Sequence, residues 1–406
     1  MTQWQRLRAL PRNVWAVTLT SLLTDISSEM VVYLLPLFLS NVLGVRTSII
    51  GLIEGVAETT SSLLKLFSGF WSDRMGRRKS LTVAGYTLST IAKPFLLVVQ
   101  TWPGVLAVRF FDRAGKGIRT APRDALIADS VSAERRGFAF GIHRAGDTLG
   151  AFIGVGLALL IVLATQSSAV DLSRQTFNLV VLISIIPAVL AVIALAVIAR
   201  ETRRPPDPTA GPPRLAWKAL PPTFRHFVIV LVLFTLGNSS DAFLILRAQN
   251  LGVSVTATLL MVMTFNLVYT LVSGPAGALS DRIGRKRLLV VGWGVYALVY
   301  LGFALAQDGV QAWVLYGFYG LYYALTEGAA KAYVADLTPQ SQRGTAYGVM
   351  NAAIGLTALP ASLIAGILWQ GAFGWTGFGA AAPFLFGALM AGVAGVGLWR
   401  MGRAER

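Results

Sequence analysis

Residues 69–79 read GFWSDRMGRRK, and residues 277–287 read GALSDRIGRKR. Gly69, Asp73, Arg74, Gly76 and Arg77 recur as Gly277, Asp281, Arg282, Gly284 and Arg285, at an offset of 208 (277 − 69). A second pair of segments repeats at nearly the same distance. IADSVSAERRGFAFG at 127–141 matches VADLTPQSQRGTAYG at 334–348, which aligns Asp129 with Asp336 and Arg136 with Arg343 at an offset of 207 (336 − 129). Two independent matches in the same order mark an internal duplication.

What surrounds these segments sets the class. Of 406 residues, 55% are hydrophobic and only 13% charged, where a soluble chain carries about a quarter charged. A membrane-crossing helix needs about 20 mostly apolar residues. Twelve such stretches fall at 14–40, 48–70, 81–100, 104–127, 138–164, 177–199, 225–247, 255–279, 288–307, 312–335, 345–370 and 379–400. The expected fold is an all-α integral membrane protein with twelve transmembrane helices in two pseudo-symmetric six-helix bundles. Residues 1–199 form the first bundle and 223–406 the second. Between them, RETRRPPDPTAGPPRLAWKALPP (200–222) is proline-rich and polar and reads as an irregular cytoplasmic linker.

Charge orients the chain. With the N-terminus inside, the inner loops include DRMGRRK, SAERR and DRIGRKR, while the outer loops LGVRTS, VQTWPG, QNLGVSV and AQDGV are nearly free of Lys and Arg. The positive-inside rule places both termini in the cytoplasm. The formal charge of +16 is therefore assigned to loops on the inner face of a cell inner (plasma) membrane, not to a nucleic-acid partner. The N-terminal MTQWQRLRALPRN is basic and leads into a retained first helix, not a cleaved signal. The chain has no cysteine, which excludes disulfides and thiolate chemistry. No GxxxxGK[ST], HExxH or GxSxG motif and no His/Asp metal cluster occurs, so neither an enzyme, a cofactor nor a metal is expected.

The duplicated six-span unit, with G-x-x-x-D-R-x-G-R between spans two and three of each half, resembles the major facilitator superfamily over the whole length. The resemblance implies two bundles rocking about a central cavity, so that the site faces each side in turn. In that scheme Gly69, Asp73, Arg74, Gly76, Arg77, Asp129 and Arg136, with their repeats Gly277, Asp281, Arg282, Gly284, Arg285, Asp336 and Arg343, act as a gating latch. The superfamily's span-four arginine is matched by Arg109, although the Gln-Gly that usually follows is replaced by Asp112-Arg113. The span-five proline of its drug/proton antiporters is missing from GIHRAGDTLGAFIGVG.

Ionisable residues inside spans are costly and mark cavities, partners or ion paths. Span four carries Arg109, Asp112, Arg113, Lys116, Arg119 and Arg123 at steps of three or four, which puts them on one helix face. Asp25 and Glu29 stand four apart in span one, Glu54 and Glu58 in span two, and span five adds His143, Arg144 and Asp147. A carboxylate beside cations can exchange a proton as the pairing changes. Asp25, Glu29, Glu54, Glu58, His143 and Asp147 are the candidate proton-coupling groups. The span-four charges and Arg144 are the candidate solute contacts. The second half adds Asn238 and Asp241 in span seven, and Tyr316, Tyr319, Tyr323, Glu327 and Lys331 in span ten, where core packing and cavity lining are both open. The reading is a monomeric, proton-coupled exporter of a small organic solute such as a drug, metallophore or metabolite. Organic-anion uptake or exchange and a lipid-handling flippase or scramblase are the alternatives.

Overall fold

The computed structural model describes residues 10–132, 135–166, 170–201, 217–339 and 342–401. Most of the 200–222 linker and parts of two inner loops therefore lie outside the described residues, as do the side chains of Asp73, Arg136 and Asp281. Among the described residues there is no strand. The helices are α1 (Arg12–Val32), α2 (Thr47–Met75), α3 (Arg78–Ala92, extended by a 3-10 turn at Lys93–Leu97), α4 (Trp102–Asp129), α5 (Arg136–Gln166) and α6 (Arg174–Ile198). The second set is α7 (Pro222–Gly237), α8 (Ala242–Asn250), α9 (Val255–Ile283), α10 (Arg285–Leu305), α11 (Gly309–Leu337), α12 (Arg343–Gln370) and α13 (Ala382–Arg400). Helices α7 and α8 together make span seven, so the chain has twelve transmembrane helices in two pseudo-symmetric sets of six.

Local chemistry starts these helices where they start. Ser173, Ser254 and Asp308 are N-caps whose side chains accept from Thr176 N, Ala257 N and Gln311 N. Each meets one of the orphan donors of a helix's first turn. Pro103 opens α4 where its missing N–H costs nothing. Eight helical spans are long and apolar enough to cross a membrane by length and composition. The other four depart from plain apolarity: α2 and α4 carry charge, α3 has 15 residues before its 3-10 turn, and α11 is rich in tyrosine.

The chain forms two compact units. One is Met1–Leu35, Thr60–Gln166 and Ser173–Pro213; the other is Pro36–Thr59, Ser167–Leu172 and Arg214–Arg406. In unit one, α1 packs on α5 and α6, and α3 packs on α4 and α6. In unit two, α7 packs on α12 and α13, and α10 packs on α11 and α13. These four contacts of one set are those of the other shifted by six spans, so the duplication seen in sequence recurs in the packing. Small residues permit the closest approaches. A Cβ added at Gly150 would collide with Leu22 O of α1, and one at Gly115 would sit 2.5 Å from Gly85 O of α3.

The first part of α2 joins unit two for a visible reason. Gly51 and Gly55 press on Ser362 and Leu359 of α12, and Thr59 Oγ1 donates to Gly355 O at 2.6 Å. Those three positions are four apart and form one face of α2.

Candidate ion and solute sites

Unit one encloses a continuous charged network. Arg109 is 6% exposed, with Nη1 4.0 Å from Asp112 Oδ2. Arg113, Arg109, Lys93 and Arg119 all lie within electrostatic reach of Asp112. Arg119 Nη1 donates to Ser89 Oγ at 2.8 Å, its guanidinium stacks 4.4 Å over the Tyr86 ring, and Ser89 Oγ donates to the Asp112 carbonyl. Arg123 donates to Asp124 Oδ1 at 3.0 Å and to Ser21 Oγ at 3.3 Å. The α4 cations therefore face α1 and α3, where acids and hydroxyls meet the demands a buried charge makes.

The acids of α1 sit in this network. Asp25 lies within reach of Asp147, Glu29, Lys116 and Arg119. Glu29 accepts from Tyr33 and faces Lys116, Arg113 and Lys93. On α5, His143 is 4% exposed with Nε2 3.7 Å from Asp147 Oδ2. Neither imidazole nitrogen has a hydrogen-bond partner among the described residues, and neither does Asp147 Oδ1. Arg144, one residue on, is exposed. Glu54 is buried and Glu58 half-buried, on the segment of α2 that belongs to unit two.

Lys93 is the member that the sequence pattern did not single out. It stands alone in an apolar run, without an acidic partner at helical spacing. Its signal was the rule already applied to span four, that a lone cation at membrane depth marks function. Pro94 ends regular α3 there, and the 3-10 turn carries the ammonium to a hydrogen bond with Ser27 Oγ.

Unit two holds a different kind of site. Span seven is not one helix over 225–247: residues 238–241 are non-helical, between α7 and α8. The freed Gly237 carbonyl accepts from Tyr296 Oη at 2.9 Å, and Asp241 Oδ1 accepts from Tyr319 Oη at 2.7 Å. Asn238 Nδ2 lies 3.4 Å from Tyr322 Oη. Tyr316 and Tyr319 are 1% and 0% exposed and pack with Phe265 and Tyr323. Tyr296 and Tyr300, four apart on α10, complete the nest. At its edge Glu327 accepts from Tyr269 Oη at 2.5 Å and from Lys331 Nζ at 3.0 Å, and Lys331 is exposed. Broken spans lined by polar groups are where transporters expose backbone to a ligand.

The two repeated loop segments form ion pairs. Arg78 Nε meets Asp129 Oδ2 at 3.3 Å, and Arg285 Nη1 bonds Asp336 Oδ1. Gly76 and Gly284 have φ of +62° and +92°, a backbone that glycine adopts freely. Arg74, Arg77, Arg282 and Arg343 are exposed, Gly69 faces Ala121, and Gly277 is open.

Comparison with known proteins agrees with this architecture. The profile of the Major Facilitator Superfamily matches residues 17–246 and 226–406. An uncharacterized MFS-type transporter of Methanocaldococcus jannaschii is 38% identical over 397 residues, covering 96% of this chain and 94% of its own. The multi-drug resistance efflux pump PmrA of Streptococcus pneumoniae is 26% identical over 343 residues, 79% of each chain. The crystal structure of a point mutant of the nucleoside transporter NupG superposes with a TM-score of 0.79 at 13% identity, over 96% of this chain and all of that one. The chain belongs to the major facilitator superfamily. It is a multi-pass membrane protein of a family of small-molecule transporters, not of enzymes.

Proposed function

We propose that this protein is a secondary active transporter that exports a small organic solute in exchange for protons, by alternating access. The observation that carries the reading is the network of unit one. Asp25, Glu29, Asp112 and Asp147 are interleaved with cations from α3 and α4 at membrane depth, so a change of proton on any acid changes the pairing of the rest. The efflux-pump name of the pneumococcal relative supports the direction. The Lys- and Arg-rich loops support cytoplasmic termini in the inner (plasma) membrane, and the protein is read as a monomer. The test is reconstitution: vesicles holding the purified protein, with an imposed pH gradient, move both solute and protons. Vesicles that move neither sink the proposal. A second reading, uptake or exchange of an organic anion, is favoured by Lys93, which adds a cation to the wall already built by α4.

A further inference from the structure

Each unit carries an apolar groove, at the ends of its helices away from the Lys- and Arg-rich loops. In unit one it has a volume of about 590 Å³ and lies between Phe95, Val98 and Val99, at the end of span three, and Gly104, Ala107 and Val108 of α4. In unit two it has about 440 Å³ and lies between Gly302, Leu305 and Ala306, at the end of span nine, and Gln311, Val314 and Leu315 of α11. The second six positions are the first six shifted by 207 (302 − 95 and 315 − 108), the offset that aligns Asp129 with Asp336. The side chains at matched positions differ in size, Phe95 against Gly302 and Ala107 against Val314. The backbone arrangement of the duplicated unit therefore makes the groove, and not one chance set of side chains.

The walls are braced. Arg174 Nη1 of α6 donates to the Val99 carbonyl at 3.0 Å, and Gln311 Nε2 donates to Asp308 Oδ2 at 2.9 Å. A Cβ at Gly104 would sit 2.3 Å from Val99 Cγ2, and one at Gly302 2.4 Å from Leu315 Cδ2, so in each groove the two walls touch at a glycine. Among the described residues, Gln100 is the one polar side chain lining the first groove and Gln311 the one lining the second.

What fills these grooves follows from where they open. Phe95, Val98, Ala107, Leu305 and Val314 are exposed. Gly104, Ala107 and Phe111, at steps of three and four, form a face of α4 other than the one that carries Arg109, Asp112 and Lys116. Both grooves are thus continuous with apolar surface that a multi-pass membrane protein turns to the bilayer. From Gly104 to Phe111 the wall runs about 10 Å along the helix, roughly a third of the hydrocarbon thickness. Clefts of about 300–1,000 Å³ are large enough to bury most of a small ligand. We propose that each groove holds one acyl chain of a bilayer phospholipid as a fixed lipid, with its headgroup at the outer surface on which the loop charges place this end. The site is separate from the charged network and independent of the solute and of its direction of transport.

The experiment is native mass spectrometry of the full-length protein, purified in mild detergent and incubated with dioleoylphosphatidylcholine, counting the lipids that stay bound. Ala107→Trp fills the first groove and Val314→Trp the second. Each is expected to lower the number retained by one, and the double variant by two. Leu160→Trp, on exposed apolar surface that lines neither groove, keeps the wild-type number. A filled variant that keeps the wild-type number overturns the proposal. So does a wild type that retains no lipid, or a Leu160→Trp that loses as many. The same spectra report a second copy of the chain: a dimer broken by the filling substitutions would make the grooves a subunit interface and overturn the proposal as well. Should a Trp variant fail to fold, Ala107→Leu and Val314→Phe replace them, with weaker retention expected and unchanged retention counting against the site. Solute and proton flux in vesicles tests the export reading separately.

Discussion

Arg78 Nε lies 3.3 Å from Asp129 Oδ2, across a sequence separation of 51, and Arg285 bonds Asp336 across the same separation. The two pairs are one ion pair, repeated in the two halves of the chain. They differ in exposure: the Arg78 and Asp129 side chains are 6% and 23% exposed, those of Arg285 and Asp336 31% and 49%. Arg78 also donates to Ser72 Oγ at 2.8 Å. Removing one partner of a fully buried pair costs about 3–5 kcal/mol, and an exposed pair contributes about 0–1 kcal/mol. Arg78→Gln is therefore expected to cost about 2 kcal/mol, given the part-exposed acid, and Arg285→Gln much less. Thermal melts of both variants in detergent check this. Equal losses would show that burial does not set the difference.

The same pair shows what the sequence does and does not carry. The glycine-rich repeat aligns at 208, which matches Arg77 with Arg285, yet Arg78 makes the ion pair. Gly284 is itself the N-cap of α10, whereas Arg77 intervenes after Gly76 with φ −121° and ψ 84° before α3 starts. One extra linking residue shifts the register to the 207 of the Asp129/Asp336 match. Hydropathy revealed twelve spans because apolar length is a local property. It passed through 238–241 without a mark, because GNSSD sits inside an otherwise apolar run and the break is held by Tyr296 and Tyr319 from other helices. Helical spacing found the α4 face but not Lys93, whose partners lie on α1 and α4 and not on its own helix.

Helices α3 and α4 touch backbone to backbone. A methyl at Gly115 would lie 2.5 Å from both Gly85 O and Ser89 Oγ, and Ser89 Oγ is engaged in a hydrogen bond to the Asp112 carbonyl. Gly115→Ala is expected to destabilise by about 1–3 kcal/mol, the usual penalty of overpacking. Gly141→Ala, with nothing within 4 Å of the added carbon, is the control and should leave the melting temperature unchanged or raise it. Equal behaviour of the two variants would mean that α3 and α4 are not held this close.

Asp241 owes part of its placement to a phenol from another helix. Tyr319→Phe keeps the ring packing of the nest and deletes only the donor to Oδ1. A carboxylate left short of a donor costs about 1–3 kcal/mol. Part of that loss should return in Tyr319→Phe/Asp241→Asn, since the amide carries no charge to satisfy. A double-mutant cycle on melting in detergent measures the coupling. Full additivity of the two substitutions would show that the hydrogen bond contributes nothing.

His143 and Asp147 pose the opposite case, a buried polar pair that adds little to stability. The ring nitrogens have no hydrogen-bond partner among the described residues, and Asp147 Oδ2 at 3.7 Å is beyond hydrogen-bond range. Burying an imidazole without a partner costs free energy, so His143→Leu should leave the protein as stable as before or more so. The residue then has to be explained by something other than folding. Arg123, Asp124, Asp147 and Arg144 are the charges within its reach. A proton arriving on the ring would draw Asp147 into a charge-assisted bond, which would weaken both the attraction of Asp147 for Arg123 and its repulsion of Asp25. His143→Leu is accordingly expected to slow proton-driven flux in vesicles several-fold while the melting temperature holds or rises. A large drop in melting temperature, with flux per folded molecule unchanged, would show that the histidine serves packing and not proton movement.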